Sequence, residues 1–241
     1  MAFVEGAGVE LSYAETGEGP AVVLIHDLAS DGADLRARAG DLPGRVVAYD
    51  RRGYGGSGAP DPYRGTTVQE QAEDLAALLG ALALAPAMLV GDGFGSLIAL
   101  DALKRHRGLV RAAVLCDPPL FAFVPEATEA LSAQRLALEE SLRAAGPEAA
   151  VEGWLAGRAE GDALARARLA HPAFFADFAG MATWPVTRRE LRAVAAPVVI
   201  VTGERSADHV VLAAQSLTEL VPGARHETDG DVGRAVEVLG A

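Results

Sequence analysis

Asparagine is absent from this 241-residue chain, lysine occurs only as Lys104, and cysteine only as Cys116. One cysteine excludes an internal disulfide framework and most thiolate metal clusters. No stretch offers about 20 consecutive apolar residues, so no bilayer-spanning helix is expected. Met1 to Gly8 lacks the basic and long apolar regions of a secretory signal, and the expected location is cytoplasmic. Positive charge is also scarce, with 21 basic against 33 acidic residues and a net charge of -12. Such a surface repels phosphate backbones and anionic lipids, so no nucleic acid and no membrane is expected as a partner. What is present is apolar: 50% of residues are hydrophobic and 22% charged. That suffices for one substantial core and is too little charge for a disordered chain. The composition points to a globular, small-molecule-facing protein, with homo-oligomerisation left open.

Continuous apolar runs mark strands buried on both faces of a parallel sheet. They are Ala21 to Ile25, Arg45 to Tyr49, Met88 to Val90, Val110 to Cys116 and Val198 to Thr202. Shorter β-like runs cover Phe3–Val4, Val9–Ala14 and Arg225–Thr228. Helical spacing predicts helices over Thr67–Leu82, Gly95–His106, His209–Leu220 and Val232–Leu239. The alternation predicts an α/β fold, a mostly parallel sheet flanked by helices. Residues 119–187 break the pattern: they are Ala-, Glu-, Leu- and Arg-rich, punctuated by proline and glycine, and contain no strand run. They are expected to form a helical cap over a core built from residues 1–118 and 188–241. A cap placed there lies over the carboxyl ends of the strands, where open α/β sheets bind ligands.

Gly91-Asp92-Gly93-Phe94-Gly95 lies between a predicted strand and a predicted helix. A turn this tight needs small residues two before and two after its apex, which makes Gly93 the apex. Taking Asp92 as the apex instead would put Val90 and Phe94 in the crowded flanking places. This motif, the strand ending in His26, and the segment Asp50-Arg51-Arg52-Gly53-Tyr54-Gly55-Gly56-Ser57-Gly58 resemble the α/β-hydrolase superfamily. Pro197 to Glu204 and Val221 to Ala224 extend the resemblance over almost the whole chain. In that family the apex is a nucleophilic Ser, Cys or Asp, activated by a His that an acid holds. Here the apex is Gly93. The resemblance puts Ser206 where the acid is expected, and Gly230-Asp231-Val232 where a histidine loop is expected, leaving Asp231 at that place. The implied triad is therefore degenerate at Gly93, Ser206 and Asp231.

The resemblance further implies an oxyanion site of backbone N–H groups, from Phe94 and from Asp27 or Leu28. The acid/base candidates near the strand ends are His26, Asp27, Asp50, Asp92, Asp117, Asp208 and His209, of which His26, Asp92 and Asp117 are taken as the catalytic set. Whether Asp208, His209 or Arg234 reaches the pocket is left open. Phe94, Phe178 and Trp184 are candidates for substrate binding. No metal and no cofactor is expected: ligand spacing is absent, and Gly-x-Gly-x-Gly is not a dinucleotide loop. Three functions follow. The first is a non-covalent enzyme of cyclase, isomerase or lyase type acting on an apolar, carbonyl-bearing small molecule. The second is an inactive protein that binds a hydrophobic ligand or a partner, and the third an ester or lactone hydrolase with a rebuilt site.

Overall fold

The computed structural model describes residues 1–240. Eight strands form one sheet: β1 (Ala2–Glu5), β2 (Glu10–Thr16), β3 (Ala21–Ile25), β4 (Arg45–Tyr49), β5 (Ala87–Asp92), β6 (Val110–Cys116), β7 (Val198–Val201) and β8 (Arg225–Glu227). Their order across the sheet is β1-β2-β4-β3-β5-β6-β7-β8. The β1–β2 and β2–β4 pairs are antiparallel, and every other neighbouring pair is parallel. The predicted strands are thus found, and the reason is visible in their burial. All five residues of β3 and all four of β7 are buried, as a strand covered on both faces requires.

Because side chains alternate along a strand, neighbouring residues feed two separate cores. Val23, Ile25, Val47, Leu89, Leu115 and Ile200 face one side. There they meet helices α2 (Val68–Ala81), α3 (Phe94–Arg105) and α9 (Asp208–Leu220). Val22, Leu24, Val46, Val90, Val114 and Val201 face the other side, against α1 (Gly32–Ala39) and α10 (Val232–Val238). Helix α1 has no counterpart in the sequence reading. It buries only Gly32, Leu35 and Ala39, too few apolar residues to show a period, and is started by Asp31, whose carboxylate accepts the Asp34 N–H at 2.8 Å.

Between β6 and β7 the chain leaves the sheet for α4 (Pro125–Ala145), α5 (Pro147–Leu155), α6 (Gly161–Leu169), α7 (His171–Ala182) and the short α8 (Arg188–Arg192). The punctuation noted in the sequence sets these boundaries. Pro125, Pro147 and Pro172 sit in first turns, where a missing N–H costs nothing, and Gly146 separates α4 from α5. Trp154, Phe174 and Phe178 pack together, with ring centroids 5.5–6.3 Å apart.

Candidate active site

The turn from β5 to α3 forms as its small residues require. Gly93 stands at φ 49°, ψ -116°, a conformation that disfavours residues with a side chain. A Cβ on Gly95 would run into the Ile25 carbonyl, and one on Gly91 into the backbone of Gly95. The Gly93 N–H donates to the Cys116 carbonyl at 2.9 Å, and Ser96 Oγ ties the same carbonyl at 3.0 Å to that of Gly91 at 2.8 Å.

Asp27 fills the space above this turn. Its Oδ1 accepts the Phe94 N–H at 2.7 Å, and the Leu28 N–H also supports the carboxylate. A Cβ on Gly93 would overlap the Asp27 carboxyl itself. The sequence reading has Asp27, Leu28 and Phe94 as backbone donors facing a substrate. In the structure the Phe94 amide is turned on the Asp27 carboxylate, with the Leu28 amide beside it, so Asp27 contributes a side-chain acceptor. Burial, then the nearby Asp92 carboxylate, pushes the Asp27 carboxyl up to about 6, against the pull of the two amides and of Arg158.

The other candidates are placed as follows. His26 is fully buried, its Nδ1 2.8 Å from the Asp27 carbonyl and its Nε2 accepting the Arg51 N–H at 3.0 Å. With both ring nitrogens on backbone partners, it has none left for a substrate. Burial, then Arg51, holds its proton affinity well below the ordinary histidine range. Asp92 is paired with Arg38 of α1, Nη2 to Oδ2 at 2.6 Å. Asp117 accepts from Ser206 Oγ at 2.5 Å and stands at φ 45°, so two candidate places from different strand ends meet each other. Asp231 caps α10 by accepting the Arg234 N–H at 2.9 Å, while the Arg234 side chain pairs with Glu227 and Asp229. Asp208 begins α9 on the surface, with His209 beside it.

Phe94 and Phe178 differ from the expected pocket wall. Phe94 is wholly buried, with the Arg51 guanidinium 4.8 Å from its ring centre, and Phe178 is packed among the cap aromatics. Trp184 borders a cavity of about 240 Å³, together with Leu97, Leu120, Phe121, Leu131 and Met181. Among the described residues no three His, Cys, Asp or Glu side chains converge on a metal position. The sequence reading has Asp27 as one of several acid/base candidates, and Asp177 lies outside it. The role of the Asp27 side chain has no local signal, since its partner lies 67 residues away. Asp177, paired with Arg51 at 2.6 Å, is 126 residues away.

Residues 22–238 match the model of the alpha/beta hydrolase family. A 2-(acetamidomethylene)succinate hydrolase from Mesorhizobium japonicum is 32% identical over 153 residues, 62% of this chain and 52% of that protein. Bifunctional epoxide hydrolase 2 of Sus scrofa is 30% identical over 118 residues, 46% of this chain and 21% of that protein. The match thus spans about half or less of these relatives' length. An esterase from Exiguobacterium antarcticum superposes with a TM-score of 0.79 at 18% identity, covering 99% of both chains. The enol-lactonase from Burkholderia xenovorans superposes at 0.72 and 20% identity, over 98% of this chain and 95% of its own. At those identities the superpositions speak for the fold alone. With its family match running through the sheet, the tight β5–α3 turn and the inserted helices, this chain belongs to the alpha/beta hydrolase family.

Proposed function

We propose that the protein acts without a covalent nucleophile, on an apolar carbonyl-bearing small molecule, and that the Asp27 carboxyl moves the proton. The chemistry is of enolisation, isomerisation or elimination type. One observation carries this reading: a carboxyl whose proton affinity is raised to about 6 stands at the Gly93 turn, held by the Phe94 amide. A base whose conjugate acid lies close to neutral pH takes up and releases protons most effectively in that range. The two amides favour the ionised form, and the Phe94 N–H fixes the carboxyl in place. Gly93 offers no atom for attack, so an acyl-enzyme step has no residue at this turn.

The test is proton exchange. Enolisable ketones, enol lactones and simple aryl esters are incubated with the protein in deuterated buffer, and α-proton loss is followed by NMR. The expected result is exchange or rearrangement of a ketone or enol lactone with a pH midpoint near 6, lost in Asp27→Asn. Equal rates in that variant, or labelling of a serine by a fluorophosphonate, overturn the reading.

A second reading has its own support: the cavity of about 240 Å³ is lined by Leu97, Pro119, Leu120, Met181, Trp184 and their neighbours, and none of residues 27, 92, 93 or 117 borders it. A space of that size with mostly apolar side chains around it suits a hydrophobic ligand bound without turnover. That reading expects small aromatic hydrocarbons to raise the melting temperature and change Trp184 fluorescence, with no exchange activity in any substrate class.

A further inference from the structure

We infer that Asp177, on the cap helix α7, is a positioning residue for the Asp27 carboxyl and acts through Arg51. The inference rests on the proposed role of Asp27, but its test reads placement and needs no substrate. Arg51 follows β4 and is 1% exposed, and all three of its guanidinium nitrogens donate hydrogen bonds. Nε donates to the His26 carbonyl at 3.0 Å and Nη2 to the Asp27 carbonyl at 3.1 Å. Nη1 donates to Gln71 Oε1 at 2.7 Å and to Asp177 Oδ2 at 2.6 Å. The backbone N–H of Arg51 also holds His26 Nε2. One side chain thus grips the backbone carbonyls of residues 26 and 27, and its guanidinium lies 4.8 Å from the ring centre of Phe94, whose backbone N–H donates to the Asp27 carboxylate.

What fixes Arg51 comes from the cap. Asp177 is 0% exposed; its Oδ2 also accepts from Tyr54 Oη at 2.9 Å, and its Oδ1 from Gln71 Nε2 at 2.5 Å. A buried ion pair is a costly way to fasten a helix, since desolvation offsets most of its attraction. Helix α7 already buries Phe174, Phe178 and Met181, and α6 is tied separately to the core by Arg166, which reaches Asp31 at 2.5 Å and Asp34 at 2.8 Å. Fastening is therefore supplied elsewhere. Removing Asp177 takes away the one charge that sets the direction of Arg51, and with it the restraint on the backbone of residues 26 and 27.

Amide hydrogen exchange on the full chain tests this, because the Phe94 amide is bonded to the carboxyl and the Leu28 amide lies beside it. In Asp177→Asn both are expected to exchange about tenfold or more faster, while Val90 and Val114 in the middle of the sheet stay as protected as in the wild type. Tyr54→Phe removes one bond to Asp177 and leaves every charge in place. It is expected to accelerate the same two amides by a smaller factor. Unchanged Leu28 and Phe94 exchange, with acceleration confined to α7, overturns the inference. If Asp177→Asn does not fold, Tyr54→Phe decides alone: acceleration at the two amides supports the inference and its absence overturns it.

Discussion

Replacing Asp27 by asparagine keeps the size of the side chain and one acceptor for the Phe94 N–H but removes the titrating group. The folded protein raises this carboxyl from 3.8 to about 6. At roughly 1.4 kcal/mol per tenfold change in proton affinity, that corresponds to about 3 kcal/mol. The value is an upper figure, because water screens a partly exposed carboxyl. Between pH 3.8 and about 6 the folded chain keeps a proton that the unfolded chain has released. The stability contributed by the protonated group is therefore full below 3.8 and lost as pH rises through about 6. Asparagine has no such loss. The stability of Asp27→Asn relative to the wild type should therefore climb by up to about 3 kcal/mol across that window and stay level on either side. In a chain of this size the climb equals about 6 to 12 °C in melting temperature. Urea titrations of both proteins at half-unit steps from about pH 3.5 to 8 measure it. A difference that is constant over that range, or that falls as pH rises, refutes the placement of Asp27 in a desolvated site beside Asp92.

Three other outcomes follow from the same geometry. Gly93→Ser puts a Cβ onto the Asp27 carboxyl at a positive-φ position and should cost about 2–3 kcal/mol. Adding Asp27→Ala should recover part of that loss, and a double variant no more stable than Gly93→Ser alone would show that the two positions do not collide. Gly95→Ala drives a methyl into the Ile25 carbonyl, where paired strands leave no room to move, and should cost about 3 kcal/mol by chemical denaturation. Cys116 is buried, and its thiol is pushed well up by burial and then by Asp92 and Asp117, so a disulfide-exchange reagent at pH 8 should label it only after unfolding. Rapid labelling of the native protein would contradict that burial.

Much of the fold was legible along the chain. The runs at β3, β4, β5, β6 and β7 are mostly apolar without alternation, as suits a strand covered on both faces. The glycines at 91, 93 and 95 marked the tight turn for a steric reason that the backbone clashes bear out. Helix α1 was hidden because it buries so few apolar residues, and α8 because it has only five residues. The candidate site was legible in its parts and not in its arrangement. Residues 26, 27, 92, 93, 94 and 117 stood at strand ends in the sequence, and the structure gathers them at one end of the sheet because adjacent parallel strands finish together. Which way each short side chain turns is another matter. Nothing near Asp27 says that its carboxylate takes the Phe94 amide, or that His26 spends both nitrogens on backbone. Nor does the cap sequence announce that Asp177 will meet Arg51. Apolar periodicity is local and survives in one dimension, so the sequence alone determined the order of elements, the turn and the absence of a side chain at residue 93. Hydrogen bonds between groups 67 and 126 residues apart exist only once the chain has packed. The tertiary structure alone therefore decided that the carboxyl at this turn belongs to Asp27.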